Sequence, residues 1–543
     1  MACMALYLRT LSFDFVNLDD PFYVYDNPAI RILDWPFVVE AFTTSYMGWW
    51  MPLTWISFAV DYHFWGLDPA GYHLTNSVLH ALNAGLVVLI ADKLLKAFER
   101  RGMSVEVTAD EEKEFSSLNG SSQLSSVQLN FAMLLFAGLL WGLHPLRVES
   151  VAWVTERKDV LSGFFSLACV LFYLKYIQEQ RSAGKGKLRD YLLSLAFLVP
   201  AMMAKPVSVV IPAMLLVVDW YPLGRMHRGN IRAALVEKLP FFLLGGAVAA
   251  ATIYFAAGET ILVSFDDFPL QRRIIVAGNA VAEYVRMSFF PVGLTHLYLL
   301  PREFPASYYI NAALSLLVTC WCLYDARRRP YLLAVWLLFL LPLVPVLGIF
   351  QNGAQSHADR FTYLPAVAPS IAISLAIALG YRRAAKGPLR YVIVALAGGA
   401  MLAYGITTCR LIGAWRDSET LWTRLILVQP VGRAYYYRGE HYLKKGRYAS
   451  AIDDLQVSIS MAEGAGNPEV LNLYALRGYA LYKAGRLTEA VQEYSKAIAR
   501  YPEPNFFYHR GVAMKALGRI PEAEEDFRRS GGASGPIEWR RMW

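Results

Sequence analysis

Long apolar runs recur through the first 430 residues. Runs of about 17 to 25 apolar residues reach across a hydrocarbon core of roughly 30 Å. Spans are predicted near residues 72–95, 129–146, 159–177, 190–204, 206–220, 239–257, 310–324, 331–350, 363–380 and 391–412. The segment 272–290 is apolar but carries Arg272, Arg273, Glu283 and Arg286. Basic connections decide how it is read. Those holding Arg100/Arg101, Arg181/Lys185/Lys187/Arg189 and Arg225/Arg228/Arg232/Lys238 alternate with non-basic ones and mark the cytoplasmic side. A spanning 272–290 would carry Arg327, Arg328, Arg329, Arg382, Arg383, Lys386 and Arg390 outside, so an interfacial or re-entrant amphipathic helix is predicted there. The opening MACMALYLRTLS is too short to cross and leads into an acidic, aromatic outside loop whose single Lys or Arg up to Pro69 is Arg31. An initial span is therefore expected to be truncated or to lie upstream. Counting it, eleven spans would leave the N-terminus inside and the C-terminus outside.

After residue 430 the pattern changes. Gly439, Gly446 and Ala451 return as Gly478, Gly485 and Ala490, and again as Gly511, Gly518 and Ala523. The spacing brackets the 34-residue period of tetratricopeptide repeats, with an insertion at EGAGNPE. Composition agrees: the tail from Val431 holds 17 Lys/Arg and 13 Asp/Glu, a far denser charge than in the residues before it. The predicted fold is thus all-α, a polytopic helical membrane bundle at 1–430 and a solenoid of about three repeats at 431–543. Stacked helix pairs form a concave surface, so the array either recruits a peptide partner or braces the bundle. The apolar fraction of 56% excludes a disordered or wholly soluble chain, and in such a protein the net charge of +8 reports loop orientation rather than nucleic-acid binding. Five cysteines sit in or beside apolar runs and read as fillers, not as a disulfide or metal framework.

Ionisable groups at membrane depth are costly, so those present are candidate site residues. His73, Asn76, His80 and Asn83 recur at i, i+3, i+7 and i+10 and form one polar stripe, for interhelical hydrogen bonds or for lining a substrate cavity. His144, Arg147, Glu149, Glu156, Arg157, Lys158 and Asp159 crowd into HPLRVESVAWVTERKD around Trp153. Lys205, in a short outside turn before Pro206, either snorkels or binds phosphate. His357, Asp359 and Arg360 occupy the outside connection SHADRFTYLP, while Asp219 is expected to cap its helix or pair with Arg225. Asp19 and Asp20 precede Pro21 in the first outside loop, where a carboxylate pair either caps a turn or acts chemically. With Arg157, Lys158, Lys205 and Arg360 on the same membrane side, they place a carboxylate opposite phosphate-binding cations. That combination suits transfer from a phosphate leaving group.

The strings FVNLDDPFYVYDNP, MPLTWIS, GLDPAGYHLTNSVLHALN, LHPLRVESVAWVTERKDVLS, AKPVSVVIPAMLLVVDWYPLGR and ADRFTYLP resemble bacterial members of the transmembrane and tetratricopeptide-repeat proteins. These are GT-C class membrane glycosyltransferases, related to the protein O-mannosyltransferases. The resemblance implies a sugar taken from a polyprenyl-phosphate carrier on the outer face of the membrane, with an acidic residue of the first outside loop as base, here Asp19 or Asp20. Two departures are visible: the first span is mostly absent, and Met51 stands before PLTW where His is expected. The expected function is inverting transfer from a lipid-linked phosphate donor to Ser or Thr of exported proteins, at the outer face of a bacterial inner membrane. Arg157, Lys158, Lys205 and Arg360 would hold the donor phosphate; His73, His80, His144, Glu149, Glu156, His357 and Asp359 would line the substrate. A divalent metal is compatible with the acidic pair, and no other cofactor is indicated. The alternatives are a non-catalytic scaffold for envelope proteins, and an enzyme with a lipid or glycan acceptor.

Overall fold

A computed structural model describes residues 1–99, 126–184, 186–227, 229–256, 264–349, 355–384, 387–464 and 470–532. Arg100, Arg101, Lys185, Arg228, Lys386 and most of the EGAGNPE insertion lie outside the described residues. Contacts divide the chain into two units, Met1–Phe13 with Asp20–Gly413, and Asp14–Asp19 with everything from Ala414 on.

The first unit begins with short helices α1 (Ala2–Tyr7), α2 (Trp35–Thr43) and α3 (Pro52–Trp65). Asp34 caps α2 by accepting from Phe37 N at 2.9 Å. The long helix α4 (Pro69–Glu99) carries the polar stripe, and α5 (Ser126–Gly142) follows it. At Leu143–His144 the chain bends by 55° into Pro145 and α6 (Val148–Ala152). Proline starts the new turn, and His144 Nδ1 accepts from Leu146 N at 3.2 Å. A second break at Trp153 leads to α7 (Arg157–Ala183), which has Asp159 in its first turn, Arg181 in its last and left-handed Gly184 as its stop. Then come α8 (Leu188–Ala204), α9 (Ile211–Trp220), α10 (Ile231–Ala256), α11 (Leu270–Phe289), α12 (Ala306–Tyr324), α13 (Pro330–Leu340), α14 (Val367–Arg383) and α15 (Leu389–Ile412). A two-stranded antiparallel ribbon, β1 (Tyr298–Leu299) with β2 (Gln355–His357), sets Tyr298 opposite His357.

Every predicted apolar run holds a helix, but the helices differ in length from the runs. Among the described residues, five are long and apolar enough to cross a membrane, six if the bent pair α5–α6 counts as one span. The stretch 206–220 is instead a 3-10 turn (Pro206–Val210) followed by the short α9, and 331–350 stops at Leu340. Prolines at the helix starts and the breaks behind them shorten these elements. Helix α11 is not among the five; it is amphipathic, with Arg273, Asn279 and Tyr284 buried and Ile274 and Phe289 exposed. Only 11% of the apolar window of α12 and 6% of that of α15 is buried, leaving Leu316, Leu317, Leu396 and Leu402 uncovered by protein. Helices apolar all round and so little covered are in lipid, and the protein is a membrane protein.

The second unit is a stack of α16 (Ser418–Val428), α17 (Gly432–Lys444), α18 (Tyr448–Gly464), α19 (Val470–Lys483), α20 (Leu487–Arg500), α21 (Pro504–Ala516) and α22 (Ile520–Arg529), each touching its neighbours in sequence. The repeat glycines act as their spacing suggests. A Cβ on Gly439, Gly478 or Gly511 would lie 3.1, 3.1 or 2.9 Å from Leu455, Tyr494 or Phe527 on the paired helix. Each pair is also tied by an arginine: Arg438 to Asp454, Arg477 to Glu493 and Arg510 to Asp526. Arg438 also donates to Thr423 of α16, as Arg510 does to Ser495 of α20, so α16 is the second helix of a preceding half-repeat. The unit therefore starts ahead of the composition boundary at 430/431, because α16 is rich in apolar residues and reads as membrane-like by composition. Asp14–Asp19 belongs to this unit through Asn17, which accepts from Trp422 Nε1 and donates to Tyr437 O and Glu440 Oε2.

Candidate functional site

The two breaks around α6 fold HPLRVESVAWVTERKD into a compact, buried segment. Asp20, one per cent exposed, docks on it: Oδ1 accepts from Trp153 Nε1 at 3.0 Å, from Thr155 N at 3.2 Å and from Thr155 Oγ1 at 2.5 Å. The face of the same indole lies 5.7 Å from Lys158 Nζ and 5.7 Å from Arg360 Cζ, and Tyr23 adds a second ring 5.2 Å from Lys158 Nζ. Trp153 therefore touches the candidate base by its edge and two candidate phosphate ligands by its face.

Three cations from separate elements meet around Glu156. Lys158 Nζ is 3.1 Å and Arg360 Nε 3.3 Å from Oε1, while Lys205 Nζ is 3.8 Å from Oε2. Glu149 holds Arg360 by accepting from its backbone N at 2.8 Å and its guanidinium at 2.5 Å. Asp159 pairs with Lys205 and accepts from Ser150 at 3.0 Å. Beside Lys205, Asp159 and Arg360 is a cavity of about 30 Å³, lined also by Ser162, Ser166 and Ser208 and large enough for about one water. Asp359, three per cent exposed, accepts from Tyr298 Oη at 2.8 Å. Burial, then the nearby Glu149 charge, holds its carboxyl well above the ordinary carboxylate range. His357 stacks on Tyr298 at 4.2 Å, and burial lowers its pKa to about 3.

Other expected site residues lie elsewhere. Arg157 does not join the cation cluster. It points from the start of α7 to the opposite side, where it pairs with Asp61 at 2.6 Å and donates to Asn76 and to Tyr72 O. Consecutive helical residues diverge, so Arg157 and Lys158 cannot serve one ligand. The α4 stripe makes interhelical bonds: Asn76 donates to the Val151, Trp153 and Val154 carbonyls, Asn83 to Val160 O and Tyr363 Oη, and His80 bridges Tyr363 and Gly142. His73 is buried with its ring edge-on to Phe13. His144 caps Leu146 and reaches Ser288 O at 3.0 Å. Asp19 belongs to Asp14–Asp19 of the second unit and is half-buried there. Asp219 pairs with Arg225 at 3.0 Å. Among the described residues no three His, Cys, Asp or Glu side chains are grouped to hold a metal ion.

A tetratricopeptide-repeat family profile matches residues 412–468 and 475–536. Across most of the chain the similarity is to proteins of one name. Human protein O-mannosyl-transferase TMTC4 is 23% identical over 456 residues, covering 74% of this chain and 56% of its own length. Drosophila melanogaster protein O-mannosyl-transferase Tmtc3 is 22% identical over 591 residues, covering 95% of this chain and 60% of its own. Human TMTC1 is 26% identical over 254 residues, covering 43% of this chain and 24% of its own. Over most of its length the chain is similar to the TMTC protein O-mannosyl-transferases. It spans little more than half the length of TMTC4 and Tmtc3.

The sequence pattern does not single out Thr155, Tyr23 and Tyr298, which contact Asp20, Lys158 and Asp359. Hydroxyl and aromatic residues are common in such loops, and nothing in their spacing sets these three apart. Asp61 was also missed; a lone acid inside the apolar helix α3 is the signal that could have found it.

Proposed function

We propose that this chain is a membrane glycosyltransferase that moves a sugar, mannose by likeness to its relatives' names, from a polyprenyl-phosphate-linked donor to Ser or Thr hydroxyls of proteins. The observation that carries this reading is Trp153, which joins Asp20 to Lys158 and Arg360. Asp20 is the base: a hydroxyl is a poor nucleophile at neutral pH, and a fixed carboxylate takes its proton as the bond to the anomeric carbon forms. Lys158, Lys205 and Arg360 hold the donor phosphate and stabilise the charge it gains as it leaves, so no general acid is required and a single displacement inverts the anomeric centre. Glu149 and Asp159 position Arg360 and Lys205, and Asp359 and His357 belong to the acceptor side. The repeat unit recruits the acceptor polypeptide. The site and the repeats face the outside of a bacterial inner membrane, as the basic loops argue.

The test is transfer of radiolabelled mannose from polyprenyl-phosphate-mannose to Ser/Thr peptides by the purified chain in lipid vesicles. Label on peptide with wild type and none with a folded Asp20→Asn variant is expected. Equal transfer by both would overturn the proposal.

A further inference from the structure

Glu156 sits where an anionic ligand of the three cations would sit. Lys158 comes from the first turn of α7, Lys205 from the end of α8 and Arg360 from the connection after β2, yet all three ammonium or guanidinium groups converge on this one carboxylate at 3.1, 3.8 and 3.3 Å. The set is already neutral, three cations against Glu149, Glu156 and Asp159. A phosphate added to it would place excess negative charge in a buried site unless one carboxylate leaves.

The three carboxylates are not held alike. Glu149 binds both the backbone and the guanidinium of Arg360, and Asp159 has Lys205 and a serine hydroxyl. Glu156 precedes the first residue of α7 without capping that helix, and its Oε2 receives no hydrogen bond among the described residues. Of the three it is the one that meets all the cations, as a bound anion would.

We propose that Glu156 is an internal stand-in for the donor phosphate: it keeps Lys158, Lys205 and Arg360 together when no donor is bound, and swings aside when the phosphate takes its place. The inference rests on the phosphate-binding reading of these cations and adds to it a competing group supplied by the chain. Removing the competitor should tighten phosphate binding, against the usual expectation for deleting a buried ionic partner.

The probes are farnesyl phosphate and uncharged farnesol, titrated calorimetrically into the full chain in detergent. Glu156→Gln is expected to bind farnesyl phosphate about tenfold tighter than wild type, equivalent to about 1.4 kcal/mol, with farnesol binding unchanged. Glu156→Asp, which keeps the charge, should not show the gain. If Glu156→Gln does not fold, Glu156→Ser must show the same tightening. Equal or weaker farnesyl phosphate binding by a folded, charge-removed variant overturns the role of Glu156 alone. Wild-type binding of farnesyl phosphate no better than farnesol overturns the phosphate reading, and this inference with it.

Discussion

Trp153 Nε1 donates to Asp20 Oδ1 at 3.0 Å, while the indole face lies against Lys158 and Arg360. Trp153→Phe separates these contributions, since it keeps the ring and removes the N–H. A hydrogen bond to a charged group is worth about 1.5–3 kcal/mol, so kcat is expected to fall about tenfold or more with donor KM nearly unchanged. A raised donor KM with normal kcat would mean that the indole serves only the cations.

The acidic pair is divided between the two units, Asp20 in the first and Asp19 in the second. Asp20→Asn should lower turnover about 100- to 10,000-fold, the usual loss of a general base, and Asp19→Asn should lower it less than about tenfold. Steady-state rates at saturating donor in well-folded protein measure both. The reverse ranking would reassign the base to Asp19.

Arg157 was legible as a cation of the site but not as one that turns away. One-dimensional spacing put it beside Lys158; only the fold shows that Asp61 and Asn76 occupy the side of α7 it points to. Breaking a buried ion pair by removing one partner costs about 3–5 kcal/mol. Arg157→Met should therefore lower thermal stability strongly, while donor KM of the protein that remains folded stays near wild type. A large rise in donor KM would return Arg157 to the phosphate site.

The sequence showed most of the architecture, because apolar length and glycine spacing are local signals: each predicted run holds a helix, and Gly439, Gly478 and Gly511 do lie against paired helices. Lengths were less legible, since the breaks after Leu340 and before α9 depend on prolines and on what packs beside them. Lys158, Lys205 and Arg360 could be named individually, but their meeting around Glu156 depends on three separate elements and no spacing encodes it. The α4 stripe was visible as a periodic set. Its bonds to the Val151–Val154 carbonyls depend on the bend at Leu143–His144, which the sequence marks only with Pro145.

His357 and Asp359 should tilt the pH dependence of stability in opposite directions. The lowered pKa of His357, about 3, means its contribution is present above the unfolded value near 6.5 and is lost as pH falls. The raised pKa of Asp359 means its contribution is present below the unfolded value near 3.9 and is lost as pH rises. Between about pH 6 and 4 the two offset each other. Relative to wild type, His357→Phe should gain stability as pH falls through that window and Asp359→Asn should lose it, each by up to about 1.4 kcal/mol per pH unit. Melting temperatures in detergent across this range check it, and slopes of the same sign would show that one of the two is not titrating as the fold implies.

Asn17 offers the sharpest test of how the second unit is held. Its side-chain oxygen accepts from Trp422 Nε1 at 2.7 Å in a buried setting, and its nitrogen donates to Tyr437 O at 2.9 Å and to Glu440 Oε2 at 3.1 Å, both partly buried. Asn17→Asp keeps the shape and the bond from Trp422, but turns the donor end into an acceptor facing a carbonyl and a carboxylate. Unsatisfied or opposed buried polar groups cost about 1–3 kcal/mol each. Protonation would restore a donor, so the new carboxyl should have a folded pKa above its unfolded value near 3.9. Its stability contribution is then present below about pH 4 and lost as pH rises, and the variant should be clearly less stable than wild type at pH 7 and approach it near pH 4. Asn17→Ala, which also loses the acceptor for Trp422, should be destabilised at both pH values without that recovery. Hydrogen exchange of α16 and α17 in the full chain reads the effect locally. Equal protection in Asn17→Asp and wild type at pH 7 would show that Asn17 does not hold Asp14–Asp19 to the repeats.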